Sequence, residues 1–287
     1  MTEKFLDENY KLLLVVPIAV LLFSVGVLLN SYNQDGEMFL RSIELKGGTS
    51  ITINTNNRLD IDMIELSLKE KFTPIKVREV RSLGSYGTII ETSSEADSEQ
   101  ILLELSKIGI DTTDNSIEFI GPSLGATFWI QAQLAIILAL IFMGIIVFVI
   151  FRTFVPSLAV IMSALFDIVA TLAFMQVFGI ELSLAGLAAI LMLIGYSVDT
   201  DIMLTTRLLK ESDEKTLNAK MRRALKTGLT MTITSIGAMS ALFLSSISPV
   251  LSQIAMVLLI GLVLDIMNTW LMNSVILKWY CEKRGLV

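Results

Sequence analysis

Apolar positions in this chain of 287 residues gather into long runs separated by one long polar stretch and several short ones. A helix needs about 20 apolar residues to cross a hydrocarbon core of about 30 Å. Six runs meet that length, at 12–29, 128–151, 155–178, 182–204, 228–247 and 250–277. They predict six transmembrane helices, with the polar stretch 30–127 between the first and the second. Inside that stretch the pattern changes period. Residues 49–54 alternate as a half-buried strand does. Over 60–72, Ile61, Ile64, Leu68 and Phe72 stand at helical spacing behind acidic residues suited to a helix start. Residues 75–82 and 86–92 read as a hairpin around Leu83-Gly84-Ser85, 98–108 as a second helix and 116–120 as a last strand.

The resulting order, β-α-β-β-α-β, is that of a ferredoxin-like domain. The sequence therefore predicts an α-helical polytopic membrane protein with one ferredoxin-like α+β domain between helices 1 and 2. Its parts are 1–29 (an N-terminal segment and helix 1), 30–127 (the α+β domain) and 128–287 (helices 2 to 6, with a basic loop at 207–227). That fold hosts many activities and by itself assigns none.

Composition narrows the chemistry. Hydrophobic residues make up 53% and charged residues 17%, against roughly 45–50% and about 25% in soluble domains, which excludes a water-soluble globule. There is no histidine and a single cysteine, Cys281. Imidazole acid/base catalysis, His/Cys zinc sites and an intrachain disulfide are excluded, and any chemistry falls to carboxylates, hydroxyls and backbone.

Charge sets the expected orientation. The stretch 30–127 holds nine of the 22 Lys and Arg and sixteen of the 28 Asp and Glu. The other thirteen basic residues all fall at the N-terminus, after the second run, between the fourth and fifth, and at the C-terminus. Basic residues in short connections resist translocation, so both termini are expected in the cytoplasm and the acidic domain outside. Glu3, Asp7 and Glu8 outweigh Lys4 and Lys11 ahead of the first run, which reads as a retained anchor instead of a cleaved leader. The basic residues of 207–227 are first a topology signal, with anionic membrane lipids as their nearest partner and no nucleic acid implied.

Four acids lie inside the apolar runs: Asp167, Asp199, Asp201 and Asp265. A carboxylate at the centre of a membrane helix costs roughly 2.5–3.5 kcal/mol on insertion scales, so such groups normally face a bundle interior or an ion path. The alternative is a hydrogen-bonded Asp that only fixes packing. Two stripes favour a polar interior: Asp265, Asn268 and Thr269 on one helix face, and Ser197, Asp201 and Thr205 on another. Asp199 and Asp201 point in roughly opposite directions. Thr230 and Thr234 belong to a fifth run rich in small and hydroxyl residues, as close helix packing requires. Lys46-Gly47-Gly48-Thr49 lacks the spacing of a phosphate loop, and Gly121-Pro122-Ser123-Leu124-Gly125 reads as a rigid turn into the second helix.

At these motifs the chain resembles the SecD/SecF protein-export family of the RND superfamily, on its SecF side. Ile43 to Thr49, with Gly47, Gly48 and Thr49, is similar to the "DFxGGT" segment that opens the family's external domain. Ile120 to Gly125, with Gly121, Pro122 and Gly125, is similar to "VGPxxG". Ile194 to Ile202, with Gly195 and Tyr196, is similar to the "IGYSxxDxI" fourth helix. The Asp199-Thr200-Asp201 form looks most like the archaeal branch. Membership implies no enzymatic activity and no cofactor or metal. It implies SecD as a partner, association with the SecY-containing translocon, exported polypeptides as substrates, and coupling to an H⁺ or Na⁺ gradient. Asp199, Asp201, Asp167 and Asp265 are the ion-coupling candidates, supported by Ser197, Thr200, Thr205, Thr230, Thr234, Asn268 and Thr269. The family's fourth-helix Asp falls on Thr200 here, and its fifth-helix Arg falls near Thr230, so the bacterial charge pattern does not carry over. Two rival readings share the helix pattern: half of an RND-type small-molecule transporter, and an intramembrane aspartyl protease, whose YD and GxGD sequences are absent.

Overall fold

Backbone N–H and C=O groups find no water in a bilayer core, so an apolar run satisfies them within itself by forming a helix. A computed structural model describes residues 10–55, 58–69, 71–72, 74–82, 85–210, 216–245 and 247–285. Its long helices are α1 (Val15–Asp35, entered through a 3₁₀ turn at Tyr10–Leu14), α5 (Pro122–Phe151), α6 (Phe154–Val177), α7 (Leu184–Leu209), α8 (Leu217–Ser245) and α9 (Pro249–Met267). A π-helical turn, Asn268–Asn273, carries α9 into α10 (Ser274–Arg284). Among the described residues six spans are long and apolar enough to cross a membrane, and the chain is a multi-pass membrane protein.

Between α1 and α5 come the short helix α2 (Ile43–Lys46), β1 (Gly48–Thr55), α3 (Ile61–Lys69), β2 (Ile75–Ser82), β3 (Ser85–Thr92), α4 (Ser98–Lys107) and β4 (Asn115–Ile120). The strands form one antiparallel sheet in the order β2-β3-β1-β4, which is the ferredoxin-like arrangement. Register puts Ile51 opposite both Ile90 and Ile117. On that face α3 and α4 supply Ile64, Leu68, Ile101 and Leu105 to the domain's core. The other face carries Lys76, Arg78 and Glu91 and is polar.

Three boundaries differ from the sequence expectation. α1 runs through polar residues to Asp35 instead of stopping with its apolar run at Leu29, because a helix that has left the bilayer keeps its backbone bonds in water. Gly121 to Gly125 is not a linker turn. Gly121 is the N-cap of α5 and Pro122 opens its first turn, where the missing N–H costs nothing. The basic loop is also shorter than expected, since Arg207 still belongs to α7 and α8 begins at Leu217. Leu83 and Gly84 of the expected hairpin turn, and 211–215 of that loop, lie outside the described residues.

In the membrane half, α6 and α7 are central and α1, α5 and α8 are peripheral. Val160, Ala164, Ile168, Leu193, Ile194, Val257 and Leu258 make the buried seam of α6, α7 and α9. The glycines of the two family-like motifs meet where the halves join. A Cβ on Gly125 would lie 2.5 Å from the Gly47 nitrogen, and one on Gly47 would lie 2.6 Å from Pro122 Cα. Gly47 also has φ of +84°, a left-handed value that a side chain disfavours. The pair lets α2 sit directly on the first turn of α5.

Candidate functional site

Buried polar groups inside an apolar seam need partners, and here they find one another. Asp167 of α6 is 1% exposed, and Asp201 of α7 and Asp265 of α9 are 0% exposed. Asp167 accepts hydrogen bonds from Ser197 Oγ at 2.6 Å and from Asn268 Nδ2 at 3.0 Å. Asn268 Nδ2 also donates to the Ser163 carbonyl and hydroxyl, both at 2.8 Å. Asn273 Nδ2 donates to Asp201 Oδ1 at 2.6 Å.

Thr269 is the centre of the cluster. Its hydroxyl lies 3.1 Å from Asp201 Oδ1 and 3.1 Å from Asp265 Oδ1. A threonine hydroxyl has one hydrogen and can donate to one of these carboxylates at a time. The second contact becomes a hydrogen bond only when a proton sits on a carboxyl oxygen. Asp201 Oδ2, Asp265 Oδ2, Asn268 Oδ1, Asn273 Oδ1 and Thr205 Oγ1 are buried without a hydrogen-bond partner among the described residues. None of the three carboxylates has a Lys or Arg within ion-pair distance among those residues.

The π turn explains how one helix reaches both of the others. An extra residue in the turn re-aims the side chains that follow it. Thr269 can then face Asp265 and Asp201 while Asn268 faces α6 and Asn273 faces α7. Sequence periodicity at 3.6 residues per turn placed Asp265, Asn268 and Thr269 on one face, and it missed Asn273 and Ser163. An Asn five residues beyond Asn268 was the available signal.

The predicted residues divide cleanly. Asp167, Asp201, Asp265, Ser197, Asn268 and Thr269 come together, with Thr205 buried beside them on α7. Thr200 is buried but donates to its own helix at the Tyr196 carbonyl. Asp199 is exposed on the opposite face of α7, in a stripe with Gly195 and Tyr196. Thr230 and Thr234 are exposed on α8 and donate to the Lys226 and Met231 carbonyls of that helix. Among the described residues no group of three His, Cys, Asp or Glu is arranged around a point that would hold a metal ion; Asp201 and Asp265 share the Thr269 hydroxyl, and Asp167 is held by Ser197 and Asn268.

Residues 100–283 match the family described as protein export membrane protein SecD/SecF, C-terminal. Full-length relatives are similar throughout. The protein-export membrane protein SecF of Methanolacinia petrolearia is 39% identical, the alignment covering 96% of this chain and 95% of the relative. That of Methanothermobacter thermautotrophicus is 40% identical, with 97% and 95% covered. For Pyrococcus furiosus SecF the figures are 38%, 97% and 93%. The crystal structure of SecDF, a translocon-associated membrane protein from Thermus thermophilus, shares the fold with a TM-score of 0.75 at 19% identity. The alignment covers 97% of this chain and spans 41% of that longer protein.

Proposed function

The chain belongs to the SecD/SecF family of protein-export membrane proteins, on its SecF branch, and from that membership we propose that it is one half of a proton-driven export device. In this reading SecD supplies the other half. The pair works beside the SecY-containing translocon on exported polypeptides, with both termini cytoplasmic and the α+β domain outside. Its role is mechanical, with no bond made or broken in a substrate.

One observation carries the proton reading: Thr269 holds a single hydrogen between two buried carboxylates that have no basic partner among the described residues. Three uncompensated charges in one buried cluster are untenable, since removing one charge from water costs several kcal/mol. A cation must accompany them. A proton fits this geometry better than Na⁺, because Asp201 and Asp265 share the Thr269 hydroxyl, while Asp167 is held by Ser197 and Asn268, instead of the acids surrounding one point. Moving one charge through the membrane potential supplies about 2.3 kcal/mol per 100 mV, enough to shift a two-state equilibrium of a few kcal/mol.

The test replaces Asp167, Asp201 and Asp265 singly by Asn and follows export into membrane vesicles with and without a proton gradient. Loss of the gradient-stimulated part, with the unstimulated part retained, is the expected outcome for each. Full gradient stimulation in all three variants would remove these acids from the mechanism.

A further inference from the structure

The three helices that carry the buried acids end together at one loop, and that loop is pinned to the sheet. Residues 178–183 join α6 to α7, so Asp167 and Asp201 lie on the two helices that this loop connects. Gln253, near the start of α9, donates from Nε2 to the Glu181 carbonyl at 2.9 Å and accepts from Ser183 Oγ at 2.7 Å. At about 1.5 Å per residue, that tie stands roughly 18 Å along α9 from Asp265. Main-chain bonds add the linker after α1: Leu182 donates to the Leu40 carbonyl at 2.8 Å, and Ser42 donates to the Leu182 carbonyl at 3.0 Å.

Glu181 itself turns toward the sheet and is 2% exposed. Lys76 Nζ lies 3.3 Å from one of its carboxylate oxygens and an Arg78 guanidinium nitrogen 3.4 Å from the other, both from β2. Arg78 also pairs with Glu91 of β3. Separating the sheet from the loop would break both of these ion pairs, which burial makes stronger than the same pairs in open water. The acid cluster and the polar face of the sheet are thus joined through rigid helices and one ion-paired residue.

We propose that Glu181 is the coupling residue of this protein, fastening the shared end of the three acid-bearing helices to β2 so that their rearrangement moves the α+β domain. Glu181 is a positioning residue and touches neither ion nor substrate. The inference deepens the proton-driven reading and rests on it for the source of motion, but the fastening itself is a property of the resting chain.

The two are therefore tested apart. In full-length protein with Cys281 replaced by Ala, spin labels are placed at Leu103 on α4 and at Phe178 in the loop, both exposed. The distance between them is read in vesicles without a gradient. The parent should give one narrow distribution. Glu181→Gln and Lys76→Glu should each broaden or split it. The double exchange Lys76→Glu with Glu181→Lys, which leaves Arg78 to Glu91, should restore the narrow distance and recover several-fold more gradient-stimulated export than either single variant. An unchanged distance in Glu181→Gln overturns the fastening, whatever the Asp→Asn variants do. A restored distance without recovery of export over the single variants overturns the coupling role.

Discussion

A carboxyl group at the junction reports on docking through its own proton. Burial pushes Glu91 up from 4.5 to about 7; the Arg78 guanidinium pulls it down, and Glu181 raises it further. Lys46 of α2 faces it as a second cation, and Glu118, on the same sheet face beyond Ser50, is exposed. A group whose value is raised on folding favours the native state most when protonated. Its contribution is complete below the unfolded value near 4.5 and is lost as pH rises through about 7, with a span on the order of 3 kcal/mol. The α+β domain should therefore melt at higher temperature at pH 5.5 than at pH 8.5, and Glu91→Gln should flatten that slope. A melting temperature that climbs with pH in the parent and not in the variant would contradict the assignment. The glycine contact makes a second residue-scale prediction. Gly125→Ala puts a methyl 2.5 Å from the Gly47 nitrogen, and overpacking of this kind costs about 1–3 kcal/mol. Thermal unfolding should register that loss, while Gly237→Ala on the open face of α8, where nothing lies within 4 Å, should not.

Elements were legible where one physical period governed them. The alternation of 49–54 and the 3.6-residue spacing of Ile61, Ile64 and Leu68 led to β1 and α3, since each of these buries one face against a single core. Boundaries were less legible: apolarity marks where a helix leaves lipid, and a cap marks where it stops, as at Gly121 and Pro122. The π turn was invisible because it breaks the period on which the reading relied. Its consequence is testable at the level of the element. An alanine inserted after Leu271, beyond the extra residue the π turn already holds, would turn everything after it by about 100° relative to α9. Asn273 would then leave Asp201. Asn273→Ala removes only that one donor, and stranding a buried carboxylate oxygen costs about 1–3 kcal/mol. The insertion should abolish gradient-stimulated export and lower the melting temperature more than Asn273→Ala does. Equal effects of the two changes would mean that the turn contributes one side chain and no geometry.

At the scale of the whole molecule, the site was half legible. Counting acids in apolar runs found all three members of the cluster, because cost alone singles them out. Counting could not separate Asp201, buried among α6, α7 and α9, from Asp199, which faces outward. Side-chain direction on one helix is decided by its neighbours, and those come from distant sequence. The outward face of α7 now has a physical reading of its own. Leu184, Ala188, Met192, Gly195, Tyr196 and Asp199 form an exposed stripe along a central helix. An Asp at that depth facing lipid would carry the insertion cost without relief, whereas Gly195 leaves a flat surface on which another helix can pack closely. This stripe is where the proposed SecD half would dock. Gly195→Trp should abolish copurification of the two halves in mild detergent, and Asp199→Leu should weaken it several-fold by removing the polar contact. Phe142→Ala, on the exposed face of the peripheral α5, should leave it unchanged. If Gly195→Trp copurifies as the parent does, the partner docks on another face and Asp199 requires a different shelter.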